Sequence, residues 1–152
     1  MTQKTVSPAD ALGIVGVIDP DAYAAGTYTT GWIAMTSVQS LLAIVMAGDL
    51  GSSATLDAKL QQATNGSGAG VKDVTGAAIT QLTQAGSDSN KQAAIALYSE
   101  DLDVNGGFTH VRLSMTIATA ASDAGAIVIA NSARIGAPVS HDLASVDELV
   151  RL

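Results

Sequence analysis

The stretch from Thr109 to Ala130 constrains the fold of this chain more than any other. In its first part apolar and polar residues alternate, and a spacing of two places the two sets on opposite faces of a β-strand. The apolar set is Val111, Leu113, Met115 and Ile117, and the polar set is His110, Arg112, Ser114 and Thr116. After turn residues at 122–125, Gly125–Ala130 is apolar throughout, which is typical of a strand covered on both faces. The pattern therefore gives one strand with a single solvated face, followed by a strand with no solvated face. This combination predicts two stacked sheets.

Four further segments have strand character. Thr27–Met35 contains Trp32, the one tryptophan of the chain, which we expect to anchor packing. Ser40–Ala47 is apolar throughout and is predicted to be a buried strand. Ala54–Thr64 and Lys91–Ser99 have a two-residue period and are predicted to be strands as well.

The composition favours a sheet protein with a thin core. Hydrophobic residues make up 47% of the 152 residues, yet only 3% are aromatic, and Ala and Gly supply much of the rest. Glu occurs only twice, and exposed helices draw on Glu, Lys and Arg. We therefore predict an all-β domain of seven or eight strands, a two-sheet sandwich of the jelly-roll type.

The predicted organisation is an N-terminal arm at 1–26, a β-sandwich domain at 27–137 and a C-terminal tail at 138–152. Two segments leave alternatives open. Ala11–Ile18 is either a short strand added to a sheet edge, in this subunit or a neighbour, or an ordinary first strand of the domain. Val71–Gln84 is either a strand bent at Gly76 or a short helical turn.

Charge and cysteine content limit the function classes. The net charge of −7 disfavours nucleic acid and anionic membrane surfaces as partners, because both are bound through Lys and Arg. The absence of cysteine excludes a thiol nucleophile, a disulfide framework and a Cys-based metal site. The apolar run Ala11–Ile18 is too short to span a bilayer.

One run resembles the opening of a calcium loop, D-x-D-x-N-G, at Asp101, Asp103, Asn105 and Gly106. The twelfth position of such a loop needs a bidentate acid, and here it is Arg112. The pattern therefore favours a strand-to-strand turn with local backbone hydrogen bonds over a calcium site.

The remaining candidates do not form a catalytic or cofactor site. His110 and His141 have no second ligand at a metal-binding spacing, and His110 belongs to the polar face of its strand. Gly66, Gly68 and Gly70 form G-x-G-x-G, whereas a dinucleotide loop requires G-x-G-x-x-G. We assign no catalytic, cofactor-binding or metal-binding residue and predict that the chain is not an enzyme and takes no cofactor.

Arg112 lies on the polar face of the central strand of an acidic chain. We expect it to pair across strands with Asp57, Asp101 or Asp103. A pair within the subunit is the simpler hypothesis, and a pair between subunits is the alternative.

Several segments resemble small virion proteins encoded in the structural clusters of tailed bacteriophages. They are Gly31-Trp32-Ile33, Ser40–Thr64, Ile79–Gln92 and Ser99–Ala130, which together cover most of residues 31–130. The order of elements is similar too, from a Trp-containing strand through an apolar strand to a final strand pair. The resemblance implies a virion component and carries no catalytic residues with it.

The sequence-based hypothesis for function follows from that resemblance. It is a capsid decoration or cement protein that binds the major capsid protein on the phage head, works as a homotrimer, and is assembled in the host cytoplasm. One alternative is a head–tail connector or tail component. Another alternative, from a different class, is a carbohydrate-binding β-sandwich for host attachment, which exposed aromatic side chains would favour.

Overall fold

The computed structural model describes residues 7–131, 142 and 144–150. In these residues one helical turn, α1 (Pro8–Ala11), precedes ten strands, with a 3-10 turn at Ser99–Asp101 before the ninth. The strands are β1 (Leu12–Tyr23), β2 (Gly26–Thr29), β3 (Ile33–Ala34), β4 (Ser40–Ala47), β5 (Thr55–Ala63), β6 (Lys72–Ala78), β7 (Leu82–Thr83), β8 (Gln92–Tyr98), β9 (His110–Ala118) and β10 (Ser122–Asn131).

The strands form two antiparallel sheets. Sheet A has the order β1-β10-β4-β8 and sheet B the order β2-β9-β5-β6, while the short strands β3 and β7 pair with β9 and β5. The main pairs are nested along the chain: β1 with β10, β2 with β9, β4 with β8, and β5 with β6. Eight strands paired in this way and divided between two sheets form a jelly roll. The prediction of an all-β, jelly-roll-like sandwich is confirmed.

The core between the sheets is built from aliphatic side chains. The largest fully buried ones are Leu56, Leu60, Leu113, Met115, Ile117, Val45, Val111 and Val128. Four of these are the apolar set of β9, so the alternation that organises the sequence does place one face of β9 in the core. Within the described part of the chain, no helix is long and apolar enough to cross a lipid bilayer.

The first strand replaces most of the expected arm. β1 pairs with β10 from Leu12 opposite Asn131 to Tyr23 opposite Ser122. Residues 12–18 therefore belong to the first strand of the domain, which is also the edge strand of sheet A in this subunit. An arm at 1–26 does not include residues 12–23. Residues 1–6 and the boundary between 137 and 138 lie outside the described residues, and the three-part division of the chain stays a prediction.

The other open segment is extended. Within Val71–Gln84 the structure has β6 and β7 and no helix. Gly76 has a φ of +78°, in the left-handed region that favours glycine, inside β6. The bent-strand interpretation is the one that the structure shows. Ala54–Thr64 is confirmed as a strand by β5.

Candidate functional site

The outward side of sheet A, here called the apolar face, is an unusual surface because mostly apolar side chains cover it. Strand register aligns its side chains in rows that run across the four strands. The two central rows are Ile14, Ile129, Leu42 and Ala96, and then Val17, Ile127, Ile44 and Ala94. The flanking rows are Leu12, Asn131, Ser40 and Tyr98 on one side, and Gly125, Met46 and Gln92 on the other. None of these residues carries a charge.

Much of the apolar face is accessible to solvent. Leu42 is 39% exposed and Met46 is 51% exposed, although both belong to Ser40–Ala47, which was predicted to be a buried strand. That prediction is wrong for one face of β4, because alternate residues point to the core and outward. The same holds for Gly125–Ala130, where Ile127 and Ile129 are only half-buried.

A bulge in β1 shapes one end of the apolar face. The register shifts so that Asp19 and Pro20 together lie opposite Gly125. A Cβ added at Gly125 would lie 3.0 Å from the Cα of Pro20, so the close approach of β1 favours a glycine here. Beside the bulge is an apolar depression of about 600 Å³, whose lining includes Val17 and Met46.

The outward side of sheet B is polar. Lys59 Nζ donates to Asp73 Oδ2 at 2.8 Å, and Gln61 Nε2 donates to Asp73 Oδ1 at 3.1 Å. These hydrogen bonds, that from Lys59 first, hold the pKa of Asp73 below its ordinary value. Thr27 and Thr116 share a hydrogen bond of 2.9 Å between their hydroxyls. The two outer faces of the sandwich therefore differ in chemistry, since polar and charged side chains cover sheet B and uncharged, mostly apolar side chains cover sheet A.

Arg112 is held by neighbours that sequence reasoning did not identify. Its Nε donates to Gln61 Oε1 at 3.0 Å, and its Cζ lies 4.6 Å from the ring centroid of Trp32. The predicted salt bridge is not found among the described residues. The three candidate carboxylates have other partners there: Asp57 accepts from Gln81, Asp101 from the Tyr98 N–H, and Asp103 from Lys72. The cause is register, because Gln61 is the residue opposite Arg112 on β5.

The calcium-like segment acts as a turn. Asp103 Oδ1 accepts from the Gly106 N–H at 2.9 Å, and Asp103 Oδ2 accepts from Lys72 Nζ at 2.6 Å. The hydrogen bond from Lys72, followed by the one from Gly106, holds the pKa of Asp103 below its ordinary value. In residues 7–131, 142 and 144–150, no group of three or more His, Asp or Glu side chains is placed to hold a metal ion.

His110 and Gly68 both make local contacts with neighbouring side chains. His110 Nδ1 lies 2.9 Å from Thr109 Oγ1, and His141 lies outside the described residues. Of the three loop glycines, Gly68 has a φ of +82° and packs against Trp32, where an added Cβ would lie 2.8 Å from Nε1. In the sequence, the contact between Gly68 and Trp32 is indicated only by the Gly-rich loop at 65–70 that follows β5.

Most aromatic rings are occupied by other side chains. Arg112 lies over Trp32, Lys72 Nζ is 4.2 Å from the centroid of the Phe108 ring, and the Tyr23 and Tyr28 ring centroids are 4.3 Å apart. Tyr98 differs, because it is 57% exposed at the end of the apolar face.

No protein-family model matches this chain, and no curated protein matches it. A chain in the broad bean stain virus structure is similar to it, with 12% identity and a TM-score of 0.46, over 93% of this chain and 100% of that one. A chain of infectious bursal disease virus has 11% identity and a TM-score of 0.43, over 91% of this chain but 39% of that one. A pilus protein from Bacillus endospore appendages has 14% identity and a TM-score of 0.36, over 86% and 98%. At these scores the likenesses carry no argument, and the jelly-roll assignment rests on the strand pairing.

Proposed function

We propose that this chain is a structural protein of a bacteriophage virion, a decoration or cement protein that binds the major capsid protein on the outside of the head. The apolar face of sheet A is the observation that carries the proposal. Covering its exposed aliphatic side chains with a partner is favourable, because transfer of apolar surface out of water lowers the free energy. An exposed apolar patch of this kind is typical of an interaction site. The sequence resemblance to phage virion proteins supports a capsid as that partner.

The size of the apolar face fits a lattice better than a single tight complex. Four strands at about 4.8 Å spacing and seven residues at about 3.3 Å give a flat area of roughly 440 Å². A stable interface buries about 800 Å² on each partner. One contact of this size is weak, and a protein held at several such contacts on a repeating surface gains its affinity from avidity.

The polar side of sheet B supports the same orientation. It carries the Lys59–Asp73 ion pair and the Thr27–Thr116 hydrogen bond, which are compatible with water. In the proposed arrangement the apolar face meets the head and sheet B faces solvent. A homotrimer at local threefold positions, assembled in the host cytoplasm, is the form proposed for the bound protein.

The test is co-sedimentation with purified capsids that lack the protein. Leu42→Lys places a charge in a central row of the apolar face, and we expect it to abolish binding. Thr27→Lys places the same charge on the outer side of sheet B and is expected to bind like the unaltered protein. Circular dichroism checks that both variants are folded. Equal binding by the two variants would overturn the proposal.

Copy number separates the proposal from its alternative within the virion. Quantitative mass spectrometry against the major capsid protein should give a copy number comparable to that of the capsid protein. A copy number that fits one small ring would instead indicate a head–tail connector or tail component. The carbohydrate-binding alternative has less support, because sugars stack on free aromatic faces and four of the five rings already have a partner.

A further inference from the structure

The four edge strands of the sandwich differ in how they avoid pairing with other chains. β1 has two register shifts and carries Asp19, Pro20 and Asp21, and β2 has only four residues. β6 has a shifted register against β5, begins with Lys72, and contains Gly76 at positive φ. Bulges, charges, prolines and short length are the devices that protect sheet edges.

β8 lacks all of these devices. Its residues Gln92–Tyr98 pair with β4 over seven consecutive positions without a register shift. The strand has no charged residue, no proline and no glycine. Within the described residues its other side pairs with no strand, and a cleft of about 320 Å³ separates it from β6 across the sandwich.

The direction of the backbone groups on β8 follows from the hydrogen bonds at its ends. The Lys91 carbonyl accepts from the Ala47 N–H, and the Ser99 N–H donates to the Gln39 carbonyl. The backbone N–H and C=O groups of odd-numbered residues on β8 therefore point toward β4. The backbone N–H and C=O groups of even-numbered residues therefore point to the free edge. Tyr98 is one of them, and its N–H is already bonded to Asp101 Oδ2 at 2.8 Å. The N–H and C=O groups of Gln92, Ala94 and Ala96 are left facing outward.

We infer that this edge pairs with β8 of a second copy of the chain, antiparallel and centred on Ala94. In that register Ala94 lies opposite its own copy, and Gln92 lies opposite Ala96. The backbone groups of Gln92, Ala94 and Ala96 then all form hydrogen-bonded pairs. The register does not use the N–H of Tyr98, which Asp101 already accepts. The facing side chains are alanine and glutamine and carry no charge, so an acidic protein pairs here without like-charge repulsion.

The contact has twofold symmetry and joins two sheets A into one of eight strands. It places two apolar faces side by side and doubles the continuous apolar area. A homotrimer uses a different, heterologous interface, so the twofold contact is additional to the proposed trimer and would join neighbouring trimers. It does not depend on the identity of the lattice to which the apolar face binds.

A single-cysteine variant tests the register. The chain has no cysteine, so Ala94→Cys carries one thiol. Hydrogen-bonded antiparallel pairs have Cα atoms about 5.5 Å apart, within the range that a disulfide spans. We expect Ala94→Cys to form a covalent dimer under mild oxidation. Ala96→Cys is the matched control, because in this register its copy lies about 13 Å away along the strand, and it should remain largely monomeric. Equal cross-linking of both variants, or of neither, would overturn the inference.

Sedimentation equilibrium provides the second measurement. Ala94→Lys brings two like charges together at the twofold axis, and we expect the dimer dissociation constant to rise at least tenfold. The thermal midpoint of the diluted monomer should not change, because Ala94 is exposed. An unaltered protein that stays monomeric at every concentration would contradict the inference. Ala94 also belongs to a central row of the apolar face, so the dimer is tested by cross-linking and sedimentation, and capsid binding is tested separately by Leu42→Lys.

Discussion

The guanidinium of Arg112 covers the indole of Trp32, with its Cζ 4.6 Å from the ring centroid, while its Nε donates to Gln61 on the neighbouring strand. One side chain thus ties β9 to β5 and to the residue that precedes β3. A lysine can lie over the ring or reach Gln61 but lacks the planar group that does both.

Arg112→Lys is expected to lower the free energy of unfolding by about 0.5–1 kcal/mol, the range for a partly exposed cation–π contact. Because Trp32 is the one tryptophan, its fluorescence emission reports directly on the change. Lys59→Met breaks an ion pair on the same sheet without touching Trp32, and its emission should match the unaltered protein. An unchanged spectrum in Arg112→Lys would contradict the stacked geometry.

Gly125→Ala should destabilise the domain by about 1–3 kcal/mol, the usual cost of overpacking. The added Cβ would lie 3.0 Å from the Cα of Pro20, and a backbone atom cannot move aside cheaply. Gly31→Ala is the control, since no heavy atom lies within 4 Å of a Cβ there. Urea unfolding measures both. A Gly125→Ala midpoint equal to that of Gly31→Ala would mean that β1 does not approach β10 so closely.

Gly68→Ala and Gly107→Ala together separate backbone strain from packing. Both glycines have positive φ, at +82° and +79°, where alanine costs about 1–2 kcal/mol. Only at Gly68 does the new Cβ also meet a side chain, Trp32, at 2.8 Å. We expect Gly68→Ala to be the less stable variant in chemical denaturation, with altered tryptophan emission. Equal losses in the two variants would show that the loop does not pack on the indole.

The pH dependence of stability should follow the carboxylates whose folded-state pKa is depressed. Asp103 is one, because of its hydrogen bonds from Lys72 and from the Gly106 N–H. Its contribution is present above the unfolded pKa of about 3.9 and is lost as the pH falls through the lower folded value. We therefore expect unfolding midpoints to be flat near neutral pH and to fall in acid.

An NMR titration tests whether the hydrogen bond from Lys72 lowers the pKa of Asp103. The Asp103 carboxyl should titrate below its ordinary value in the unaltered protein, and Lys72→Met should move its midpoint upward. Asp73 should not respond, because its first partner is Lys59. An Asp103 midpoint that Lys72→Met leaves unchanged would contradict the ion pair.

Local patterns predicted much of the sandwich. The two-residue period of β9 and β5 identified both strands and their core sides, and the shortage of large aromatics predicted an aliphatic core. The same patterns could not identify the apolar face. In Ser40–Ala47 both faces are apolar, and a sequence pattern does not distinguish a face covered by the chain's own second sheet from one left exposed for a partner.

What the sequence by itself determined is therefore the type of each element, because alternation, turn residues and the content of small side chains act over a few neighbouring positions. Tertiary structure alone decided which elements meet. It placed Leu12–Tyr23 beside β10 rather than in an arm, and it set Gln61 rather than an aspartate opposite Arg112. Both outcomes depend on the register of strands far apart in the chain, where the packing of the whole sandwich, and not any local preference, selects the alignment.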